Sequence, residues 1–167
     1  MKATQKRQMA AAGFASALVL AALVAASPVR AELTGVGGSL GYASPENLDG
    51  TASLALHAEV GKRDSRVAMV PNMRYWNVDG YSDVAPNLDV AYQFDSGEHW
   101  RPYVGGGAGL NFVHNDVTNH TDTSPGLNMI GGVRFPGEGN HYFVEGRFTA
   151  SDVNEVALVT GITFHAR

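Results

Sequence analysis

The 167-residue chain contains no cysteine, which removes two classes at once. Neither a disulfide scaffold nor a cysteine-ligated zinc site is open to it. Lysine is scarce too, occurring only at positions 2, 6 and 62. A formal charge of −4 without any Lys/Arg run lacks the electrostatic footprint of a nucleic-acid binder. An apolar share of 44% is ordinary, so the chain is neither a helical membrane protein nor a disordered one. From Thr34 onward no helical stripe of useful length occurs. The length suits one domain.

Glycine, by contrast, is abundant: 20 of 167 residues, against a usual share of ~7%. The first 31 residues also stand apart. Lys2, Lys6 and Arg7 form a basic start, Met9 to Val29 is uncharged with an apolar centre at Ala17–Val24, and Val29-Arg30-Ala31 precedes Glu32. That order is a secretory signal peptide cut before Glu32, and its apolar centre is short for a membrane span of ~20 residues. The expected organisation is a signal peptide at 1–31 and one domain at 32–167. The leader takes four of the twelve basic residues and no acid, which leaves 8 basic and 16 acidic residues in the exported part.

That part alternates with period two, broken by turn-rich clusters. Strands are expected at 34–43, 51–61, 66–76, 86–94, 101–113, 125–135, 141–150 and 154–165. Each of these ranges reaches the ~9–11 residues a tilted strand needs to cross a bilayer. In each strand one parity is more apolar than the other, as in Leu54, Leu56 and Ala58, or Val156, Leu158, Ile162 and Phe164. The other carries Ser53, His57, Glu59, Arg74, Asp89, Arg134, Glu145 and Arg147 among small residues such as Gly105, Gly107 and Gly109.

Alternation is common to a lipocalin-like soluble barrel and to a membrane barrel, so composition has to decide. A water-exposed face carries many long charged side chains. The polar face here offers three acids (Glu59, Asp89, Glu145), three arginines (Arg74, Arg134, Arg147) and no lysine. Such a face suits a narrow, filled lumen, and the apolar face is placed outward. The fold class expected is all-β: an eight-stranded antiparallel up-and-down transmembrane β-barrel. In its lumen, Arg134 and Glu145 lie on adjacent strands, as do Arg74 and Asp89, while Glu59 and Arg134 both fall towards the periplasmic end; these charges are expected to neutralise one another, with His57 in the same network. The inward glycines of the fifth strand are expected to make room for arginines reaching from opposite strands.

Connections after strands one, three and five read as longer outer loops, and those after two, four and six as short turns. Glu46, Asp49, Asp79, Asp83, Asp116, Asp122, Asp152 and Glu155 lie on or beside the outer side, without Lys or Arg. Aromatic residues collect at strand ends: Tyr42, Tyr75, Phe112 and Phe148 towards the outer rim, and Phe94, Trp100, Phe135, Tyr142 and Phe164 towards the other. Two interfacial girdles are the expected reading.

The segment Arg101-Pro-Tyr-Val-Gly-Gly-Gly-Ala-Gly-Leu-Asn-Phe112 resembles a strand of the small bacterial outer-membrane barrels, the OmpA/OmpX-like superfamily. The resemblance implies an outer-membrane location and roles ranging from structural and adhesive to, rarely, enzymatic. It also implies a terminal aromatic; here Phe164 is followed by His165-Ala166-Arg167.

Ser53, His57 and Glu59 share one face and are the types a lipid hydrolase would use, but no nucleophile motif surrounds Ser53 and all three face the lumen. His114, Asp116, His120 and Asp122 share one outer loop of metal-ligand residue types, a composition more often merely solvated. The reading from sequence is a monomeric, non-enzymatic barrel without cofactor or metal. Its partners would be outer-membrane lipids and lipopolysaccharide, with a surface ligand met through the acidic loops. The alternatives are a narrow channel, a soluble ligand-binding barrel and a lipid-modifying enzyme.

Overall fold

The computed structural model describes residues 32–62, 65–96 and 99–166; residues 1–31, on which the signal-peptide reading falls, lie outside the described residues. Eight strands make up the fold: β1 (Glu32–Pro45), β2 (Thr51–Gly61), β3 (Val67–Val78), β4 (Tyr81–Gln93), β5 (Arg101–Asn115), β6 (His120–Pro136), β7 (Asn140–Ala150) and β8 (Glu155–His165). Each pairs antiparallel with its sequence neighbour, and β1 also pairs with β8, so the sheet closes on itself. Closure leaves no edge of unpaired N–H and C=O groups, the condition under which a sheet survives in lipid.

Burial follows the pleat. In β7, His141, Phe143, Glu145, Arg147 and Thr149 are buried while Tyr142, Val144, Phe148 and Ala150 are exposed. The polar parity points inward and the apolar parity outward. Leu40, Leu56, Leu127, Met129 and Leu158 are each more than 60% exposed on the outer surface. An apolar exterior of this extent is untenable in water and suits lipid. Tyr42, Tyr75, Phe94, Trp100, Phe135, Tyr142, Phe148 and Phe164 are exposed at its two ends, and Phe112 is half-buried.

The expected difference in loop length is absent. Connections at one end span 46–50, 79–80, 116–119 and 151–154; at the other they span 62–66, 94–100 and 137–139. Strands β3 and β4 run on to a two-residue turn, in which Asp79 (φ 53°) and Gly80 (φ 76°) both adopt the left-handed region. That is a type I′ hairpin, whose twist matches that of the strands it joins. Between β5 and β6, the Asn115 side-chain oxygen accepts the amides of Val117 and Thr118, which tightens the turn. What separates the two ends is charge. The first set of turns carries Glu46, Asp49, Asp79, Asp116 and Asp152 with no Lys or Arg; the described residues of the second mix both signs, Lys62 and Arg66 with Asp95 and Glu138. We refer to the first as the acidic end.

Candidate functional site

The inward parity places His57 and Glu59 on β2, Arg74 on β3, Asp89 on β4, Arg134 on β6, and Glu145 and Arg147 on β7 within one lumen. Its centre is the Arg147 guanidinium, 2.7 Å from Asp89 and 3.1 Å from Glu145. Asp89 is fully buried and also accepts from Asn72 (2.8 Å) and Asn128 (3.0 Å). The second Glu145 oxygen accepts the Tyr103 hydroxyl at 2.8 Å. Two carboxylates thus share one arginine, and neutral donors supply the remaining stabilisation. A buried charge without such partners would cost several kcal/mol.

Arg134 reaches across the lumen to Glu59 at 2.8 Å, passes over the Tyr103 ring at 4.9 Å and touches Gln93. His141 lies 3.3 Å from the same Glu59 oxygen and 3.1 Å from His165. His57 meets the Thr163 hydroxyl at 2.8 Å and stands edge-on to Phe143. Towards the acidic end, Arg74 pairs with Glu155.

Neither of the adjacent-strand couples noted in the sequence pairs directly. The β6–β7 register sets Arg134 opposite Phe143, two positions from Glu145. In the β3–β4 register Arg74 faces Ala85 while Asp89 faces Val70, four positions away. At ~3.3 Å per residue that offset exceeds the reach of an ion pair. The charge balance differs too. Asp83 and Glu155, expected on or beside outer loops, are buried on the inward parity, so the lumen holds five acids against three arginines. Ser53 is buried with no hydrogen-bond partner for its hydroxyl, and His57 is bonded to Thr163, so no Ser–His couple forms.

The inward glycines have occupants other than the expected arginines. Asp89 lies opposite Gly107, Asn87 opposite Gly109, Tyr103 opposite Gly132, and Phe143 opposite Gly161. A Cβ at any of these glycines would run into that very side chain. These four inward residues therefore each lie over a bare position on the neighbouring strand, which helps them fit into an eight-stranded lumen.

His114–Asp116 (3.6 Å) and His120–Asp122 (3.2 Å) form two separate pairs on the β5–β6 hairpin. Among the described residues no three His, Cys, Asp or Glu side chains converge on one metal position. The lumen retains a cavity of about 50 Å³, lined by His57, Glu59, Asn72, Arg134, Glu145 and Arg147 among others. That is far below the ~300 Å³ at which small-molecule pockets begin.

No protein-family model matches the chain, and no curated protein matches it in sequence. Solved structures match it in fold. Neisserial surface protein A superposes with a TM-score of 0.72 at 15% identity, covering 83% of this chain and 100% of its own. The N-terminal β-barrel domain of OprF from Pseudomonas aeruginosa gives 0.60 at 14% identity, over 80% and 98%. The outer-membrane enzyme PagL gives 0.51 at 15% identity, over 76% and 97%. The chain has the fold of the eight-stranded outer-membrane barrels.

Proposed function

We propose that this chain is a non-enzymatic bacterial outer-membrane protein, reached by export, with an envelope-structural or surface-interaction role and a lumen too full to serve as a pore. One observation carries the reading: an apolar exterior encloses an interior in which ion pairs and neutral donors occupy the space. The PagL barrel is an outer-membrane enzyme, so fold alone does not decide against catalysis. What supports a non-enzymatic reading is that Ser53, His57 and Glu59 are engaged inside the lumen or lack the mutual contact a hydrolase requires. The acidic turns are the surface this reading assigns to contact with other molecules, including divalent cations that bridge lipopolysaccharide phosphates.

Heat-modifiable gel mobility combined with outer-membrane fractionation tests fold and location together. The expected result is a faster-running unheated band in the outer-membrane fraction. Recovery in the aqueous phase without detergent would overturn the location. Reproducible conductance steps in planar bilayers would replace the filled lumen with a channel.

A further inference from the structure

We infer that the end of the lumen opposite the acidic turns carries a two-histidine site for a divalent transition-metal ion, held by His141 Nδ1 and His165 Nε2. His141 is the first inward residue of β7 and His165 the last of β8, and His141 faces Thr163 in the register, so the two imidazoles project side by side. Their nitrogens stand 3.1 Å apart, with ring centroids at 5.3 Å and a 43° tilt. Two nitrogens each bound at about 2.0–2.1 Å in tetrahedral geometry lie roughly 3.3 Å from one another. A shift of a few tenths of an ångström in the imidazole at the strand end therefore turns the shared-proton contact into a metal clamp.

The surroundings favour that clamp. The other His141 nitrogen, Nε2, makes no aligned hydrogen bond and faces Glu59 Oε1 at 3.3 Å, while Arg134 holds the same carboxylate at 2.8 Å. A carboxylate this near the distal nitrogen favours the proton there by charge, which leaves the near nitrogen's lone pair for a metal, and a small turn of the ring would align the hydrogen bond that orients ligating histidines. His141 is buried and His165 exposed, which gives an ion a way in from solvent. Among the described residues no third such side chain converges, and water completes the shell. Imidazole nitrogens select Cu²⁺, Ni²⁺ and Zn²⁺ over Ca²⁺ and Mg²⁺, whose preference is for oxygen.

The test uses the full chain without a polyhistidine tag, folded in detergent and titrated with CuCl2 or ZnCl2 after EDTA treatment. Zn²⁺ is expected to raise Tm where MgCl2 does not, and the Cu²⁺ electron paramagnetic resonance spectrum is expected to show coupling to two nitrogens. His165→Ala should abolish both effects while keeping heat-modifiable mobility, which verifies its fold. Glu59→Gln should weaken affinity by about 10–100-fold. The double variant His114→Ala/His120→Ala removes the exposed His–Asp pairs and should bind as the parent does. A nitrogen-free Cu²⁺ spectrum, binding unchanged in folded His165→Ala, or binding lost in the double variant would each overturn the site.

Discussion

The two ends of the lumen close by different means. Beneath the acidic turns, Trp76 is 2% exposed, belongs to an apolar cluster with Ala43, Ala157 and Val159, and is covered by Leu48, Val78 and Tyr81. Beside that cluster lie the Arg74–Glu155 pair and Asp83, which faces Trp76 in the register and has one oxygen with no hydrogen-bond partner. At the opposite end, among the described residues, the Arg134–Glu59 pair lies against Tyr103 of a smaller apolar cluster with Ala91 and Ile130, and its other neighbours are His141 and, beyond it, the exposed His165. The same chemistry, arginine against glutamate, is thus set at two burials: the Arg74–Glu155 side chains are each 6% exposed, those of Arg134 and Glu59 13% and 9%. Desolvation makes the more buried pair the costlier one to break, because a carboxylate left alone there has less solvent to turn to.

That contrast can be broken most directly at Arg74. In urea unfolding of the detergent-folded protein, Arg74→Ala should cost about 3–5 kcal/mol and clearly more than Arg134→Ala; equal losses would erase the distinction between the ends. Trp76→Ala should cost about 3 kcal/mol through the cavity it leaves. It should also admit water from the acidic end, read as conductance steps absent from the parent. Between the ends, Tyr103→Phe removes one donor to Glu145 and should cost about 1.5–3 kcal/mol, with the barrel still folding. The smallest effect concerns the turns. Gly80 and Gly139, one at each end, both sit in the left-handed region (φ 76° and 77°). Either one changed to Ala should cost about 1–2 kcal/mol; a matching loss at the two would show that the ends differ in their lumen and not in their turns.

Strand number, order and facing could be read from the sequence because period-two alternation is a local property of the chain. The ion-pair partners could be read only in part: strand position puts Glu59 and Arg134 towards the same end, without encoding their contact. Arg134 meets Glu59 from four strands away around the barrel, and no local pattern encodes which residues of a staggered, closed sheet fall at the same height. Asp83 and Glu155 show a different failure. Asp83 shares the inward parity of Asn87 and Asp89, and the Asp79-Gly80 dipeptide just before it is a hairpin signal that would have extended β4 back to Tyr81. Glu155 alternates with outward Val156 and could have been placed inside by parity alone. Acidity suggested loops; pleat and turn chemistry place both residues in the lumen.

The seam between β1 and β8, where Gly35 lies opposite His165, joins strands separated by nearly the whole described chain. Loops this long close slowly, and non-local pairing of this kind sets the pace of folding. Until the seam forms, β1 and β8 each offer a row of unsatisfied amides and carbonyls beside a greasy exterior, a template for pairing with any passing strand. The hazard of this molecule therefore lies in its assembly rather than in its finished state. A nascent copy has to be shielded in transit and have its two edge strands held until they meet.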